Sequence, residues 1–314
     1  MGDGPENANA GWGNFRVFKQ LQNEGVLTAR ITEWLPFGAP LDQLEKWRNE
    51  SGDRDLWVNT GALKGFFDGS LGSRTAAMLA PYSDDPSTSG ILRMDPAKAK
   101  QLAIERDKAG FQIAFHAIGD RANRSALEVF AAVHKANGTR DRRDRIEHAQ
   151  VVAPLDFERF RQLGVIASMQ PSHETTDMRW AEERIGADRA RGAYAWHSML
   201  QNKVRLAFGT DFPVETINPM RGLYACVTRE LPEGGPKGGW EPQEKISIED
   251  CIAAYTRGSA YAEFQEDRKG QIIDGKLADI VVLSTDITKA APAEILGTQA
   301  IITIVGGRVV YEKK

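Results

Sequence analysis

Cysteine is nearly absent from the chain: Cys226 and Cys251 are the two among 314 residues. Two cysteines cannot staple a disulfide scaffold, and without CxxC spacing they form neither a zinc ribbon nor a redox pair. They read as reduced, buried thiols. Long apolar runs are also lacking, and stretches such as Ile280–Leu283 and Ala300–Val305 fall far short of a membrane span. The opening MGDGPENANAGWGN has no basic segment followed by an apolar one, so no secretory signal is legible. Positive charge is not in excess, since 40 Lys and Arg against 43 Asp and Glu leave a net −3. Such a balance gives no field to gather nucleic acid or anionic lipid. The expectation is a soluble cytoplasmic protein acting on a small molecule, with neither nucleic acid nor membrane as partner.

What is present is a regular alternation. Six short apolar runs, residues 27–34, 63–67, 112–117, 145–148, 165–170 and 205–209, read as buried strands. Most are continuous rather than alternating, as strands of a parallel sheet covered on both faces should be. Between them, residues 96–109, 121–137 and 154–163 carry helical periodicity, each with Gly just beyond its end. The βα repetition predicts an α/β fold, and six units in one run favour a TIM-like barrel over a Rossmann sheet. No GxGxxG follows any of the strands. Beyond residue 264 the character changes to Gly-punctuated β segments, so residues 1–263 are expected to form the barrel and 264–314 a small β module. The Gly-rich stretch 231–242 reads as a long loop over one end of the barrel, either a connection or a lid.

Histidine is scarce, with five in the chain. His116 in QIAFHAIGD and His148 in RIEHAQ stand at the ends of strands one βα unit apart, and Asp211 in LAFGTDFPV ends the last strand of the set. Lys64 lies in the strand that precedes FFDGS. Active sites of βα barrels gather at these C-terminal strand ends, and neutral imidazole with carboxylate is what Zn²⁺ and similar cations prefer. A lysine joins such a set only as a carbamate, formed by its amine with CO₂. Each residue also has an ordinary reading, a hydrogen-bonded core histidine or a turn-capping aspartate. It is their placement on successive strand ends that points to a metal. Around them Asp68 and Ser70 of the DGS turn, Arg74 and His173 are candidate substrate contacts. Glu147, beside His148, should point to the opposite face of its strand. Asp120 is expected to cap the helix that follows it.

The motifs FFDGSLGSRTA (66–76), FHAIGDRA (115–122), RIEHAQ (145–150), SMQPSH (168–173), GTDFPV (209–214) and KGQIIDGKLADIVVL (269–283) occur in this order. Together they resemble the amidohydrolase superfamily of metal-dependent hydrolases, in the branch related to N-substituted formamide deformylase. The resemblance implies a (βα)8 barrel with a β-sandwich, and a divalent metal, most often Zn, one or two ions in the complete site. It implies metal ligands at Lys64 (carboxylated), His116, His148 and Asp211. It also implies hydrolysis of a C–N bond, of amide or N-formyl type, with Asp211 as general base and then acid.

The departure from that pattern is as specific as the match. Family members carry His-x-His on their first barrel strand, and no His-x-His occurs here. The first recognisable strand corresponds to the family's third, so about six barrel strands, part of the sandwich and an incomplete ligand set are expected. The chain then reads as the C-terminal portion of a longer enzyme, shortened, completed by a second chain, or turned to another role. The open alternatives are impaired hydrolysis and a catalytically silent structural or partner-binding domain. A homo-oligomer or the missing N-terminal segment would be the macromolecular partner.

Overall fold

A computed structural model describes residues 5–52 and 55–314. Its main sheet has six parallel strands paired in chain order, β1 (Ile31–Pro36), β2 (Val58–Phe66), β3 (Ile113–Ala117), β4 (Arg145–His148), β5 (Ile166–Met169) and β6 (Leu206–Phe208). The sheet curls, because Trp34 of β1 and Ala207 and Phe208 of β6 border the same cavity. This is the expected incomplete TIM-like barrel, with β1 and β6 as its edges among the described residues.

Helices cover the outer face. They are α1 (Pro5–Asn23), α2 (Leu41–Ser51), α3 (Pro96–Lys108), α4 (Asp120–Asn137), α5 (Phe157–Leu163), α6 (Pro171–Asp177), α7 (Ala181–Ile185), α8 (Ala187–Ala190), α9 (Trp196–Gln201) and α10 (Pro219–Thr228). Helix α11 (Ile248–Ala253) continues through a π turn (Ala254–Gly258) into α12 (Ser259–Ala262). Strand alternation sends Phe115 outward into the helical layer, where its ring meets Phe37, Phe67 and Phe130 at centroid distances of 4.9, 4.8 and 5.4 Å. The same alternation turns Ala114 and His116 inward. Asp95 caps α3 by accepting from Lys98 N, and Pro96 fits the first turn, where no N–H is needed.

The last part of the chain forms an antiparallel sheet of β7 (Ile280–Leu283), β8 (Ala300–Val305) and β9 (Arg308–Glu312), with α13 (Pro292–Gly297) between the first two. Arg30 joins it to the barrel through a two-pronged contact with Asp279, at 2.6 and 2.8 Å. Among the described residues no helix is long and apolar enough to cross a membrane.

Two sequence expectations are corrected. Cys226 and Cys251 are not free thiols but form a disulfide, because α10 and α11 pack together and bring their Cα atoms to 6.3 Å. Asp120 does not cap its helix with its side chain. Its Oδ1 accepts from Leu79 N at 2.7 Å and so pins a distant loop. The 231–242 stretch is tied down near its end: Trp240 N donates to Arg229 O at 2.8 Å, and Arg229 Nε donates back to Trp240 O at 2.6 Å.

Candidate metal centre

At the C-terminal ends of the strands lies a cavity of about 300 Å³. Lys64 from β2, Arg145, Glu147 and His148 from β4, Ser168 and Gln170 around the end of β5, and Asp211 beyond β6 all line it. His148, His173 and Asp211 each bring a ligand atom to within 4.8 Å of the other two. His173 is added by the short helix α6, which Pro171 starts directly after β5. His116 borders this trio, its ring 4.6 Å from that of His148 and nearly edge-on, while the His148 and His173 rings stack at 5.8 Å. Lys64 Nζ sits 5.5 Å from the Trp34 ring and 5.1 Å from the Phe66 ring.

The approach of His148 is produced by the backbone. Strict alternation would put Arg145 and Glu147 on one face of β4 and His148 on the other. Instead all three line the cavity, because His148 adopts φ 75° and Ala149 φ 43° and the chain turns the imidazole inward. Asp211 has φ 57°. Left-handed backbone costs a non-glycine residue roughly 1–2 kcal/mol. Two members of the trio are thus held in conformations that the surrounding packing imposes. Glu147, expected on the far face, is corrected to a cavity-lining residue. It ion-pairs with Arg145 at 2.7 Å and accepts from Ser168 Oγ at 2.6 Å.

The electrostatics favour neutral imidazole. Burial, then the neighbouring His116 and Lys64 side chains, holds His148 well below the usual imidazole range. Burial and then His116 push His173 down to about 4. Burial raises the Asp211 carboxyl, against the opposing pull of Lys64 and His116. His173 Nε2 is buried without a hydrogen-bond partner and lies 3.5 Å from Asp211 Oδ2. His116 Nε2 lies 3.0 Å from Gly69 O, to which it can only donate, so its remaining lone pair is on Nδ1.

The other sequence candidates lie outside the cavity. Asp68 is 1% exposed and its two oxygens accept from Ala77 N, Ile118 N and Gly119 N, with His116 Nε2 3.4 Å away. It fixes the loops after β2 and β3. Ser70 is exposed and bonds Ser73 Oγ at 2.7 Å. Arg74 pairs with Asp84, which also takes Arg184. Gln170 was not singled out from the sequence; its motif SMQPSH drew attention to His173 alone.

The Amidohydrolase family profile matches residues 9–311. The chain belongs to the amidohydrolase family. Among solved structures, this amidohydrolase is similar to an uncharacterized metal-dependent hydrolase from Pyrococcus horikoshii OT3, with TM-score 0.75 and 30% identity over 88% of this chain and 55% of that one. It is 40% identical to the protein LONG AFTER FAR-RED 3 of Arabidopsis thaliana over 81% of this chain and 43% of the relative. It is 28% identical to the N-substituted formamide deformylase of Arthrobacter pascens over 69% of this chain and 40% of that protein. The amidohydrolase chain thus spans about half the length of the relatives it matches.

Proposed function

We propose that this amidohydrolase hydrolyses a C–N bond of amide or N-formyl type in a small substrate, using a divalent cation, zinc by its donor set. The observation that carries the reading is the trio His148, His173 and Asp211, within 4.8 Å of one another at the strand ends. The residues fit a cation: two imidazoles held neutral, one of them with a buried nitrogen lacking a hydrogen-bond partner among the described residues, and one carboxylate. Two nitrogens and an oxygen suit zinc. His116 flanks the trio, and Lys64, once its amine is a carbamate, would present an anionic oxygen to the same cavity. The bound cation supplies Lewis acidity toward the scissile carbonyl and the attacking water.

The chain's own groups handle the proton. Asp211 orients water with its carboxylate, takes the proton as the C–O bond forms, and delivers it to the departing amine as the C–N bond breaks. A carboxylate beside the attacking water suits a group that must accept and then donate a proton. His173, beside Asp211, is placed to contact the substrate or the cation. Arg145, in its ion pair with Glu147, forms the charged floor under this space.

Elemental analysis of purified chain tests the first half of the reading, with about one zinc per chain expected, lost in His148→Ala and His173→Ala. Assay against a panel of N-formyl amines and small amides tests the second. Asp211→Asn should lower kcat by about 10²-fold or more, the scale of a lost general base. A folded chain without bound metal, or Asp211→Asn with unchanged turnover, overturns the proposal and favours a silent domain.

A further inference from the structure

His148 is held at one nitrogen of its ring. Its Nδ1 lies 2.8 Å from Gln170 Oε1, and the Gln170 side chain is buried at the root of α6. An amide oxygen only accepts, so at this distance Nδ1 must carry the proton. Turning the amide over would place Nε2 of Gln170 against Nδ1. It would also bring Oε1 to face Ser168 O, the carbonyl that Gln170 Nε2 now meets at 3.5 Å. Two facing acceptors are unfavourable, so the backbone of β5 selects the orientation of the amide, and the amide selects the tautomer of the imidazole. Ser168 is itself fixed, its Oγ lying 2.7 Å from Arg145 Nη2 and 2.6 Å from Glu147 Oε2. The chain of contacts runs from the charged floor of the cavity, through β5, to the ring.

We infer that Gln170 is a positioning residue that fixes His148 as its Nδ1–H tautomer and so presents Nε2, with its lone pair, to the cavity. The inference deepens the proposed metal-dependent reading and rests on it for its consequence, but the tautomer is a property of the metal-free chain. A partner behind a ligating imidazole sets both its orientation and its basicity, and its loss lowers metal affinity about 10–100-fold. Gln170 acts through His148, whose Nδ1 its Oε1 meets at 2.8 Å.

The test is long-range ¹H–¹⁵N correlation on metal-free protein labelled at histidine, with His148→Gln assigning the signals. Wild type should show His148 as Nδ1–H. Gln170→Leu, which fills the same space without an acceptor, should shift His148 toward Nε2–H and weaken zinc binding about 10–100-fold, measured by competition with a chelator. Gln170→Glu, which restores an acceptor oxygen, should restore Nδ1–H. Thermal midpoints of the variants identify any that fail to fold, and the wild-type spectrum alone then decides. An Nε2–H signal for His148 in wild type, a tautomer unmoved by Gln170→Leu, or a shifted tautomer with unchanged zinc affinity each overturns the inference. Wild-type chain that shows Nδ1–H and binds no zinc refutes the proposed function while leaving the tautomer assignment standing.

Discussion

Asp68 offers the sharpest test of how the fold holds the site. Its Oδ2 accepts from Ala77 N and Gly119 N at 2.8 Å each, and its Oδ1 from Ile118 N at 3.0 Å. The carboxylate is 1% exposed, so water cannot replace it readily. Asp68→Ala leaves three buried N–H groups without an acceptor. At about 1–3 kcal/mol for each of the three buried donors left unmade, the loss comes to roughly 3–9 kcal/mol. That is a large share of the about 5–15 kcal/mol by which folded proteins are stable. Asp68→Asn keeps the shape and one acceptor oxygen but turns an NH₂ toward a backbone donor, so it should cost about 1–3 kcal/mol. Urea unfolding followed by far-ultraviolet circular dichroism measures both, with hydrogen exchange at Ala77, Ile118 and Gly119 as the local readout. Asp68→Ala within about 1 kcal/mol of wild type, or indistinguishable from Asp68→Asn, would refute the idea that these three bonds fasten the loops behind Lys64 and His116.

Two further outcomes follow from buried groups elsewhere. Burial pushes the Asp144 carboxyl up to about 7 from an ordinary 3.8, with only Ile113 N donating to it at 2.9 Å. The folded chain therefore keeps a proton that the unfolded chain releases, and stability falls as pH rises through roughly 4 to 7, by about 4 kcal/mol in all. Asp144→Asn should remove that slope, so its melting temperature should gain on wild type between pH 5 and pH 8; parallel curves would contradict the sign. Gly119 allows its backbone to pass close to its neighbour, for a Cβ there would lie 2.1 Å from Ala77 O. Gly119→Ala should lower stability by about 1–3 kcal/mol, read as a drop in thermal midpoint, and an unchanged midpoint would show that the loop yields freely.

The barrel was legible because parallel strands are short, apolar and separated by amphipathic helices. The run 145–148 coincides with β4, and the helix over 121–137 starts one residue late. Helices α1 and α2 went unread: their buried faces rest on a few large rings, Trp12, Phe15 and Trp47, scattered among polar residues. His116, His148 and Asp211 could be gathered by placing each at a strand end, whereas His173, read as a substrate contact, joins the trio from α6. The side chains behind them could not. Period-two alternation assigns Glu147 to the wrong face, since the left-handed turn at His148 has no glycine to announce it. Asp68, Arg74 and Gln170 find their partners across 9, 10 and 22 residues respectively, contacts that depend on how loops fold over one another. The cysteine pair, 25 residues apart, was missed for the same reason.

The backbone at His148, Ala149 and Asp211 sets two kinds of selection against each other. Glycine at any of these positions would relax a left-handed residue, although at His148 it would also leave the buried Gln170 Oε1 without its partner. At His148 and Asp211 it would also delete a side chain of the trio. A library of variants sorted by melting temperature would therefore favour glycine at Asp211, the position that a library sorted by turnover would keep as aspartate.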